Sequence, residues 1–321
     1  MRILCITPID GIDDVKANLQ KLGELKVISE CTRNELLGLK DWPEVIFTNP
    51  NKQTFVIDDC VIDALPNLRA ILTASTGLNH IDVRYASSKN VVVASLTKEL
   101  AIIEKITSTA EHAFGLMLSI IRNIPVSHES VIKNSEWNYV PFIGRQLNCL
   151  TVGIIGYGRL GKMFSKYAKA FGMKVLVFDP NTQCDDSVTL EKLKAEADVV
   201  TLHVHVSPQT KRMIDGLFIS EMKDGVYLIN TSRGAIVDEQ QIAFALMSKK
   251  IAGYATDVIC DELGGSVDIN PIVLAARQGQ NVIVTPHIGG MTSDARKIAY
   301  NSVVNIFRDR LENHNDDKIG R

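Results

Sequence analysis

The sequence predicts an α/β fold built from two parallel sheets, and three observations support this fold class. The chain has 321 residues, of which 45% are hydrophobic and 22% are charged, enough for two domains with separate cores. Between Leu150 and His287, short segments rich in β-forming residues alternate with amphipathic segments of helical length. This alternation is typical of a doubly wound parallel sheet with helices on both faces. The N-terminal part of the chain repeats the alternation more loosely, which indicates a second, smaller α/β unit.

The expected strands are short runs of aliphatic and β-branched residues. In the N-terminal unit they are residues 2–6, 25–29, 44–48, 69–74 and 90–95. In the larger unit they are residues 151–155, 174–178, 199–203, 226–230, 252–256 and 281–285. The second set is large enough to complete a doubly wound sheet.

Helices are expected in the connections between these strands. Asp238 is the expected N-cap of one of them, because its carboxylate can accept hydrogen bonds from free N–H groups of the first turn. The predicted crossover helices of the larger unit are residues 160–171, 190–197, 217–222 and 239–249. Two long helices, from residue 98 to about 122 and from residue 291 to about 311, suit segments that cross between domains. We therefore predict one domain of residues 1–97 with 291–321 and another of residues 98–290, with a loop at 261–270.

Charge, cysteine usage and the N-terminus exclude several classes of protein. Lys and Arg number 35 against 37 Asp and Glu, and no block of like charges occurs, so no nucleic-acid partner is expected. The six cysteines include no Cys-x-x-Cys pair, which favours reduced thiols and no metal site. The first residues lack the apolar segment of a signal peptide, and the longest nearly uncharged apolar stretch, residues 113–121, is too short to cross a bilayer. We expect a cytoplasmic protein without membrane association.

A glycine-rich turn follows the first strand of the larger unit. It comprises Gly156, Tyr157, Gly158, Arg159, Leu160 and Gly161. The first glycine permits a tight turn, the second lets backbone amides approach a pyrophosphate at the helix N-terminus, and the third allows close packing of helix on strand. Asp179 ends the next strand, where a carboxylate can bind the adenosine ribose 2′-hydroxyl and repel a 2′-phosphate. The pattern predicts an NAD site, and the alternative is a glycine turn beside a surface aspartate.

Three further polar residues follow later strands of the same unit, at the sheet edge where such folds bind ligands. Arg233 carries a planar guanidinium that can hold a carboxylate in two parallel hydrogen bonds and polarise a carbonyl. His287 can take and return a proton near neutral pH, and Glu262 can fix its tautomer and stabilise the imidazolium. The alternatives are an arginine paired with a surface acid, a structural histidine and a solvated glutamate.

These motifs together resemble the NAD-dependent D-2-hydroxyacid dehydrogenase family, including its phosphoglycerate dehydrogenase branch. The resemblance covers nearly the whole chain in order, from ASTGLNHID (74–82) and AEHAFGLMLSIIRNIP (110–125) onwards. Its distinctive motifs are GYGRLG (156–161), LHVHVSPQT (202–210), INTSRGAIVDE (229–239), ATDVICDE (255–262) and TPHIGG (285–290).

The resemblance implies a Rossmann-type NAD domain and a smaller, flavodoxin-like α/β substrate domain. It also implies that Arg233 binds the substrate carboxylate and polarises its C2 oxygen, that His287 is the general acid/base, and that Glu262 is its partner. The other residues implied to touch ligands are Ser75, Thr76 and Gly77 for the substrate carboxylate, and His203, Thr231 and Asp257 for the cofactor. Asp257 would hold the nicotinamide amide. The long helix from Lys98 resembles the segment through which these enzymes form homodimers; otherwise its apolar surface is interdomain core.

The chain departs from the family at several positions. Leu263 and His205 stand where the family usually has proline, and we expect a structural role for His205. Phosphoglycerate-specific members place arginines around the substrate phosphate. The matching positions here are Asn49, Thr73 and Tyr139, with Lys52 nearby. A small, unphosphorylated 2-hydroxy or 2-oxo acid is therefore the favoured substrate.

Three alternatives remain at this point. The first is phosphoglycerate dehydrogenase proper. The second is a non-enzymatic NADH-sensing regulator on the same fold, since a fold does not establish an activity. The third is a methyltransferase with a similar glycine turn. The combination of Arg233, Glu262 and His287 favours a dehydrogenase, because the last two alternatives have no need of it.

Overall fold

The computed structural model describes residues 1–51, 55–262 and 267–319, with only the backbone described for 313–319. The chain divides into two compact units. Unit 1 comprises Met1–Ile106 and the segment from Gly290 onwards, and unit 2 comprises Thr107–Gly289. The first boundary thus falls later than the predicted one at residue 98. Lys52 and Leu263, which we discussed as departures from the family pattern, lie outside the described residues.

Strands and helices alternate along the chain. The strands are β1 (Arg2–Cys5), β2 (Glu24–Val27), β3 (Val45–Thr48), β4 (Ala70–Thr73), β5 (Val92–Ala94), β6 (Thr151–Ile155), β7 (Lys174–Phe178), β8 (Val199–Leu202), β9 (Val226–Asn230), β10 (Ile251–Thr256) and β11 (Val282–Val284). The helices are α1 (Asp13–Leu22), α2 (Arg33–Gly38), α3 (Asp59–Asp63), α4 (Val83–Ser88), α5 (Leu100–Ile103), α6 (Ser108–Ile121), α7 (Ile124–Asn134), α8 (Arg159–Ala170), α9 (Leu190–Glu196), α10 (Gly216–Glu221), α11 (Glu239–Met247), α12 (Pro271–Arg277) and α13 (Ser293–Ile319).

Unit 1 is built on a parallel sheet with the strand order β2-β1-β3-β4-β5. This is the order of flavodoxin-like folds, as predicted. Alternate residues of β1 face opposite cores: Ile3 and Cys5 pack in one apolar cluster with α1 and α13. Leu4 packs in the other cluster with α2 and α3. The sheet is therefore covered on both faces, which explains why β3 and β4 are buried at every position.

Unit 2 is built on a second parallel sheet with the order β11-β10-β9-β8-β6-β7. The predicted doubly wound sheet is confirmed, and a bridge between Val177 and Ser187 extends it beyond β7. The chain leaves β6 towards β7 on one side and returns to β8 on the other. Ligands of such sheets bind beyond the carboxyl end of the strand at which the order reverses. The glycine-rich turn begins directly after β6, at this position.

The long helix predicted from residue 98 to about 122 is wrong, because the chain forms two helices there, α5 and α6. Ile103 of α5 is buried in a core of unit 1. Ala113 and Phe114 of α6 are buried in a core of unit 2. The two apolar stretches look continuous in the sequence, but they pack in different cores and the helix is interrupted between them.

Other local predictions hold in the described part of the chain. Asp238 is the N-cap of α11, and its side chain accepts a hydrogen bond from the N–H of Gln241. The expected loop at 261–270 includes a short 3-10 turn, Val267–Ile269, and residues 263–266 lie outside the description. None of the described helices combines the length and apolar character that a membrane crossing requires.

Candidate functional site

The glycine-rich turn after β6 has the close contacts that its glycines predict. Gly156 has a φ of +94°, and a Cβ on it would lie 2.4 Å from the carbonyl oxygen of His203. A Cβ on Gly161 would lie 2.1 Å from the carbonyl oxygen of Gly156. A Cβ on Gly158, by contrast, would meet no described atom within 4 Å. Gly156 and Gly161 are thus required by the fold, whereas Gly158 leaves space in front of the N-terminus of α8, where Arg159 and Leu160 begin the helix.

Asp179 lies beside this turn and shapes it. Its Oδ2 atom accepts a hydrogen bond of 2.7 Å from the N–H of Tyr157. Its Oδ1 atom accepts hydrogen bonds from the N–H groups of Asn181 and Thr182. Asp179 also lines, with Pro180, a cleft of about 700 Å³, within the size range of small-molecule sites. A carboxylate has about four lone-pair positions, so these contacts leave room for a ribose hydroxyl.

Two buried polar atoms just after strands β8 and β9 support a bound ligand. The Nδ1 atom of His203, just after β8, and the Oγ1 atom of Thr231, just after β9, have no hydrogen-bond partner among the described residues. The other ring nitrogen of His203 lies 3.1 Å from Thr201 Oγ1. Buried polar atoms are normally satisfied. These atoms and the open space at Gly158 fit a polar, phosphate-bearing ligand such as a dinucleotide.

Arg233 lies in a loop that Asn230, at the end of β9, holds in shape. The Asn230 side chain donates to the carbonyl oxygen of Arg233 and accepts from the N–H of Ser232, both at 3.0 Å. The guanidinium of Arg233 donates to the carbonyl oxygen of Ser232 at 2.6 Å. Across the described residues, no carboxylate forms a salt bridge with Arg233. This disfavours the alternative of an arginine paired with a surface acid.

Gly234 brings the Arg233 loop against the segment that follows β10. A Cβ on Gly234 would lie 2.1 Å from the carbonyl carbon of Ile259 and 2.3 Å from the nitrogen of Cys260. Only glycine permits this approach of two backbones. The close contact places the residue next to Arg233 against the stretch of chain that leads to Glu262.

Glu262 and His287 form a hydrogen-bonded pair. The Nδ1 atom of His287 lies 2.9 Å from the Oε2 atom of Glu262, and the side chains of His287 and Glu262 are 24% and 28% exposed, respectively. His287 has a φ of +54°, a left-handed conformation that is uncommon for a residue with a side chain. The pair joins the segment after β10 to the one after β11 and leaves the ring partly exposed.

Asp257, at the end of β10, fixes the backbone beside His287. Its carboxylate accepts hydrogen bonds from the N–H groups of Ile288 and Gly289, at 2.9 and 2.7 Å, and from the hydroxyl of Thr285. His112 of α6 lies 3.3 Å from the same carboxylate. Burial alone would raise the pKa of Asp257, but these hydrogen bonds outweigh it and hold the pKa below its usual value. Asp257 is therefore ionised and already engaged, and its contact with a nicotinamide amide stays a prediction.

The remaining predicted site residues lie at other strand ends. Ser75, Thr76 and Gly77 follow β4 of unit 1, where the Ser75 hydroxyl bonds both the N–H and the carbonyl oxygen of Gly77. His205 is exposed, and its carbonyl oxygen accepts from the Thr210 hydroxyl. The roles given to these residues stay predictions.

The positions matched to phosphate-binding arginines provide no cation. Asn49 is buried in unit 1 and donates to the carbonyl oxygen of Ala74. Thr73 is buried and lies 2.9 Å from the Nε2 atom of His80. Tyr139 is 78% exposed in unit 2.

Sequence reasoning missed three residues that shape the site: His112, Asn230 and Glu239. Asn230 could have been found, because an asparagine at a strand end commonly forms such turns. His112 gave a weaker signal as a polar residue in the apolar stretch of α6. Glu239 gave none, since acidic residues in the first turn of a helix are usual.

Comparisons with known proteins identify the family to which the chain belongs. Residues 114–289, more than half of the chain, match the model of the D-isomer specific 2-hydroxyacid dehydrogenase, NAD binding domain. The D-3-phosphoglycerate dehydrogenase of Synechocystis sp. is 31% identical over 311 residues, covering 94% of this chain and 53% of that protein. The hydroxypyruvate reductase of Thermotoga maritima is 34% identical over 295 residues, covering 89% and 91%.

Solved structures show the same architecture. The D-lactate dehydrogenase from Aquifex aeolicus, complexed with NAD and lactic acid, matches with a TM-score of 0.79 at 29% identity, covering 99% of this chain and 98% of that one. The chain spans about half the length of the phosphoglycerate dehydrogenases that it matches. The relatives named here are enzymes, and the comparisons confirm the family predicted from the sequence. The chain belongs to the D-isomer specific 2-hydroxyacid dehydrogenase family, and residues 114–289 form its NAD-binding domain.

Proposed function

We propose that the protein is an NAD-dependent dehydrogenase that acts on C2 of a small D-2-hydroxy acid or the matching 2-oxo acid. The observation that carries the proposal is the 2.9 Å contact between His287 and Glu262. An acid/base histidine with a carboxylate partner is what the oxidation of a hydroxyl group requires. The function of a regulator or of a methyltransferase does not require the pair of His287 and Glu262.

In this proposal His287 moves the proton of the reaction. When bound, NAD supplies the nicotinamide ring that accepts or returns the hydride. A carboxylate only accepts hydrogen bonds, so Glu262 requires the ring proton to be on Nδ1 when His287 is neutral. The Nε2 atom then carries the lone pair that takes the hydroxyl proton during oxidation, and the imidazolium gives the proton back during reduction.

Arg233 would bind the carboxylate of the substrate and polarise its C2 oxygen. The absence of a salt bridge to Arg233 among the described residues supports this role, because its charge is available for an anionic ligand. The Asn230 turn and the Gly234 contact support it further, since they fix the backbone of the Arg233 loop against the segment that leads to Glu262. A substrate gripped in this way is oriented before proton transfer begins.

We further propose that the substrate carries no phosphate. The side chains of Asn49 and Thr73 are buried and form hydrogen bonds with neighbouring groups of unit 1. The exposed phenol of Tyr139 offers no positive charge. A phosphate dianion is normally bound by arginine, lysine or free N–H groups.

A panel of 2-oxo acids tests the proposed function. The loss of NADH absorbance is followed with glyoxylate, pyruvate, hydroxypyruvate and 3-phosphohydroxypyruvate. The proposal predicts turnover with at least one unphosphorylated acid at a higher kcat/KM than with the phosphorylated one. A preference for the phosphorylated acid would support phosphoglycerate dehydrogenase proper, and NADH binding without turnover on any acid would support the regulator.

We propose that the enzyme forms a homodimer. The family resemblance places the contact in the helix from Lys98, but residues of α6 such as Ala113 and Phe114 are buried in a core of unit 2, and we assign the contact to α7 and the segment after it. A group of exposed apolar side chains supports this assembly: Ile124, Val126, Val131, Ile132, Trp137, Tyr139, Val140 and Ile143. An apolar surface of this kind marks an interaction site. Sedimentation equilibrium should give the mass of two chains, and Trp137→Glu should lower it to that of one chain. A wild-type protein with the mass of a single chain would contradict the dimer.

We place the enzyme in the cytoplasm. All six cysteines are free thiols, and Cys5 and Cys31 are buried. Free, partly buried thiols are typical of a reducing compartment. Fractionation of cells that express the full-length protein tests this location.

A further inference from the structure

Glu239 is buried although it occupies a position where glutamates are usually exposed. It begins α11 and is only 7% exposed. A glutamate in the first turn of a helix interacts favourably with the helix dipole even when its carboxylate is exposed to solvent. Burying its carboxylate costs free energy unless hydrogen bonds compensate, and burial raises the pKa of Glu239. The helix itself therefore does not explain the burial of this side chain.

The two oxygens of Glu239 bond to two places in the chain beyond β10. Oε1 accepts a hydrogen bond of 2.7 Å from the N–H of Cys260. Oε2 accepts a hydrogen bond of 2.7 Å from the side-chain amide of Asn270. Asn270 in turn caps α12, because its Oδ1 accepts from the N–H of Ile272. One carboxylate thus ties the start of the segment that carries Glu262 to the helix that follows it.

The backbone between Cys260 and Glu262 needs such support. Asp261 has a φ of +57°, in the left-handed region that costs free energy for a residue with a side chain. A conformation of this kind persists when the surrounding contacts hold it. The hydrogen bond from Cys260 to Glu239 is the contact on the N-terminal side, one residue before Asp261.

We propose that Glu239 is a positioning residue, which holds Glu262 at the place where it pairs with His287. The inference rests on the proposed role of that pair in proton transfer. Glu239 acts through the backbone of Cys260 and the side chain of Asn270, and it touches neither the substrate nor the cofactor. The burial of Glu239 is therefore explained by its contacts with the segment that carries Glu262, the partner of His287.

An exchange of donor and acceptor tests this role. Glu239→Gln places an amide N–H against the amide of Asn270, and Asn270→Asp places a second carboxylate against Glu239. Each single change breaks the contact. The double variant restores it with reversed polarity, because the new amide at position 239 can donate to the new carboxylate at position 270. The carbonyl oxygen of that amide still accepts from Cys260, and an aspartate still caps α12.

We expect each single variant to lower kcat by about 10- to 100-fold, the scale of a small misplacement of reacting groups. The KM for NADH should not change, and the double variant should recover most of the lost kcat. Gln240→Ala, an exposed neighbour in the same helical turn, is the matched control and should behave as wild type. Wild-type kcat in both single variants, or a double variant no better than the worse single one, would overturn the proposal.

A second variant and a second readout keep the test independent of folding and of activity. Asn270→Ser retains a side chain that can cap α12 but is too short to reach Glu239, so it should also lower kcat. Nitrogen NMR shifts of the His287 ring report its tautomer. They should move in the single variants towards those of Glu262→Gln and return in the double variant. Unchanged ring shifts in the single variants would overturn the positioning role, even if no 2-oxo acid proved to be a substrate and the proposed function failed.

Discussion

The Nδ1 atom of His287 and the Oε2 atom of Glu262 lie 2.9 Å apart, although the two residues follow different strands. Asp257 holds the backbone that follows His287, a residue in the left-handed region. The contacts of Glu239 with Cys260 and Asn270 hold the segment of the other. The geometry of the pair therefore depends on buried residues that lie outside it.

Substitution of the histidine should stop the reaction and spare the cofactor. His287→Asn removes the group that exchanges the proton, so kcat should fall by about 100- to 10,000-fold. The affinity for NADH, measured by fluorescence titration, should not change, because the glycine-rich turn is intact. His128→Asn, at an exposed position on α7, serves as the control. An active His287→Asn enzyme would remove the basis of the proposed mechanism.

The shape of the Arg233 side chain should matter as much as its charge. Arg233→Lys keeps a positive charge but loses the planar group that makes two parallel hydrogen bonds. We expect kcat/KM for the 2-oxo acid to fall by about 100-fold or more. The same change at Arg277, in an exposed ion pair with Asp268, should have no effect. Equal kinetics in the two variants would mean that Arg233 does not bind the substrate.

Two glycines of the turn should respond differently to the same substitution. Gly158→Ala meets open space, so the variant should fold as wild type and bind NADH at least about tenfold more weakly, or about 1.4 kcal/mol. Gly161→Ala would place a Cβ 2.1 Å from a backbone oxygen, so this variant should unfold at lower urea concentration. Calorimetric titration and urea unfolding separate the two effects. Unchanged NADH affinity in Gly158→Ala would contradict the proposed position of the cofactor.

Stability should depend on pH through His203. Burial lowers the pKa of His203 from 6.5 to about 4. The unfolded chain therefore binds a proton between these values while the folded chain does not, so stability is fully present above pH 6.5 and is lost as the pH falls towards 4. The loss should amount to about 3 kcal/mol.

Urea unfolding at several pH values measures this loss of folding stability. In His203→Gln the acid-induced loss of stability should be smaller than in wild type. In His205→Gln, a change at the exposed neighbouring histidine, it should remain the same as in wild type. Identical pH dependence in wild type and His203→Gln would show that His203 titrates normally.

The sequence predicts the strands of unit 2 well, because their signal is local. The predicted bounds of β6, β7 and β9 coincide with the observed ones. The break between α5 and α6 could not be predicted, since it arises where Ile103 and Ala113 join different cores. Which core a residue joins is decided by tertiary packing rather than by the neighbouring residues.

The candidate site shows the same division. Arg233, Glu262 and His287 follow strand ends, where the fold class itself predicts ligands. Glu239 could not be recognised, because an exposed and a buried glutamate in the first turn of a helix look alike in a sequence. Its role depends on Asn270, which lies far along the chain and reaches it only in the folded protein.

The central claim is that Arg233 and His287 act on the same substrate molecule. The most direct measurement is a double-mutant cycle of kcat/KM for reduction of the best 2-oxo acid, with Arg233→Lys, His287→Asn and the combined variant. If both groups stabilise one transition state, the fold decreases in kcat/KM caused by the two substitutions should not multiply. The combined variant should then be little worse than the poorer single variant. Losses that multiply in full would show that the two residues act independently and would contradict the account.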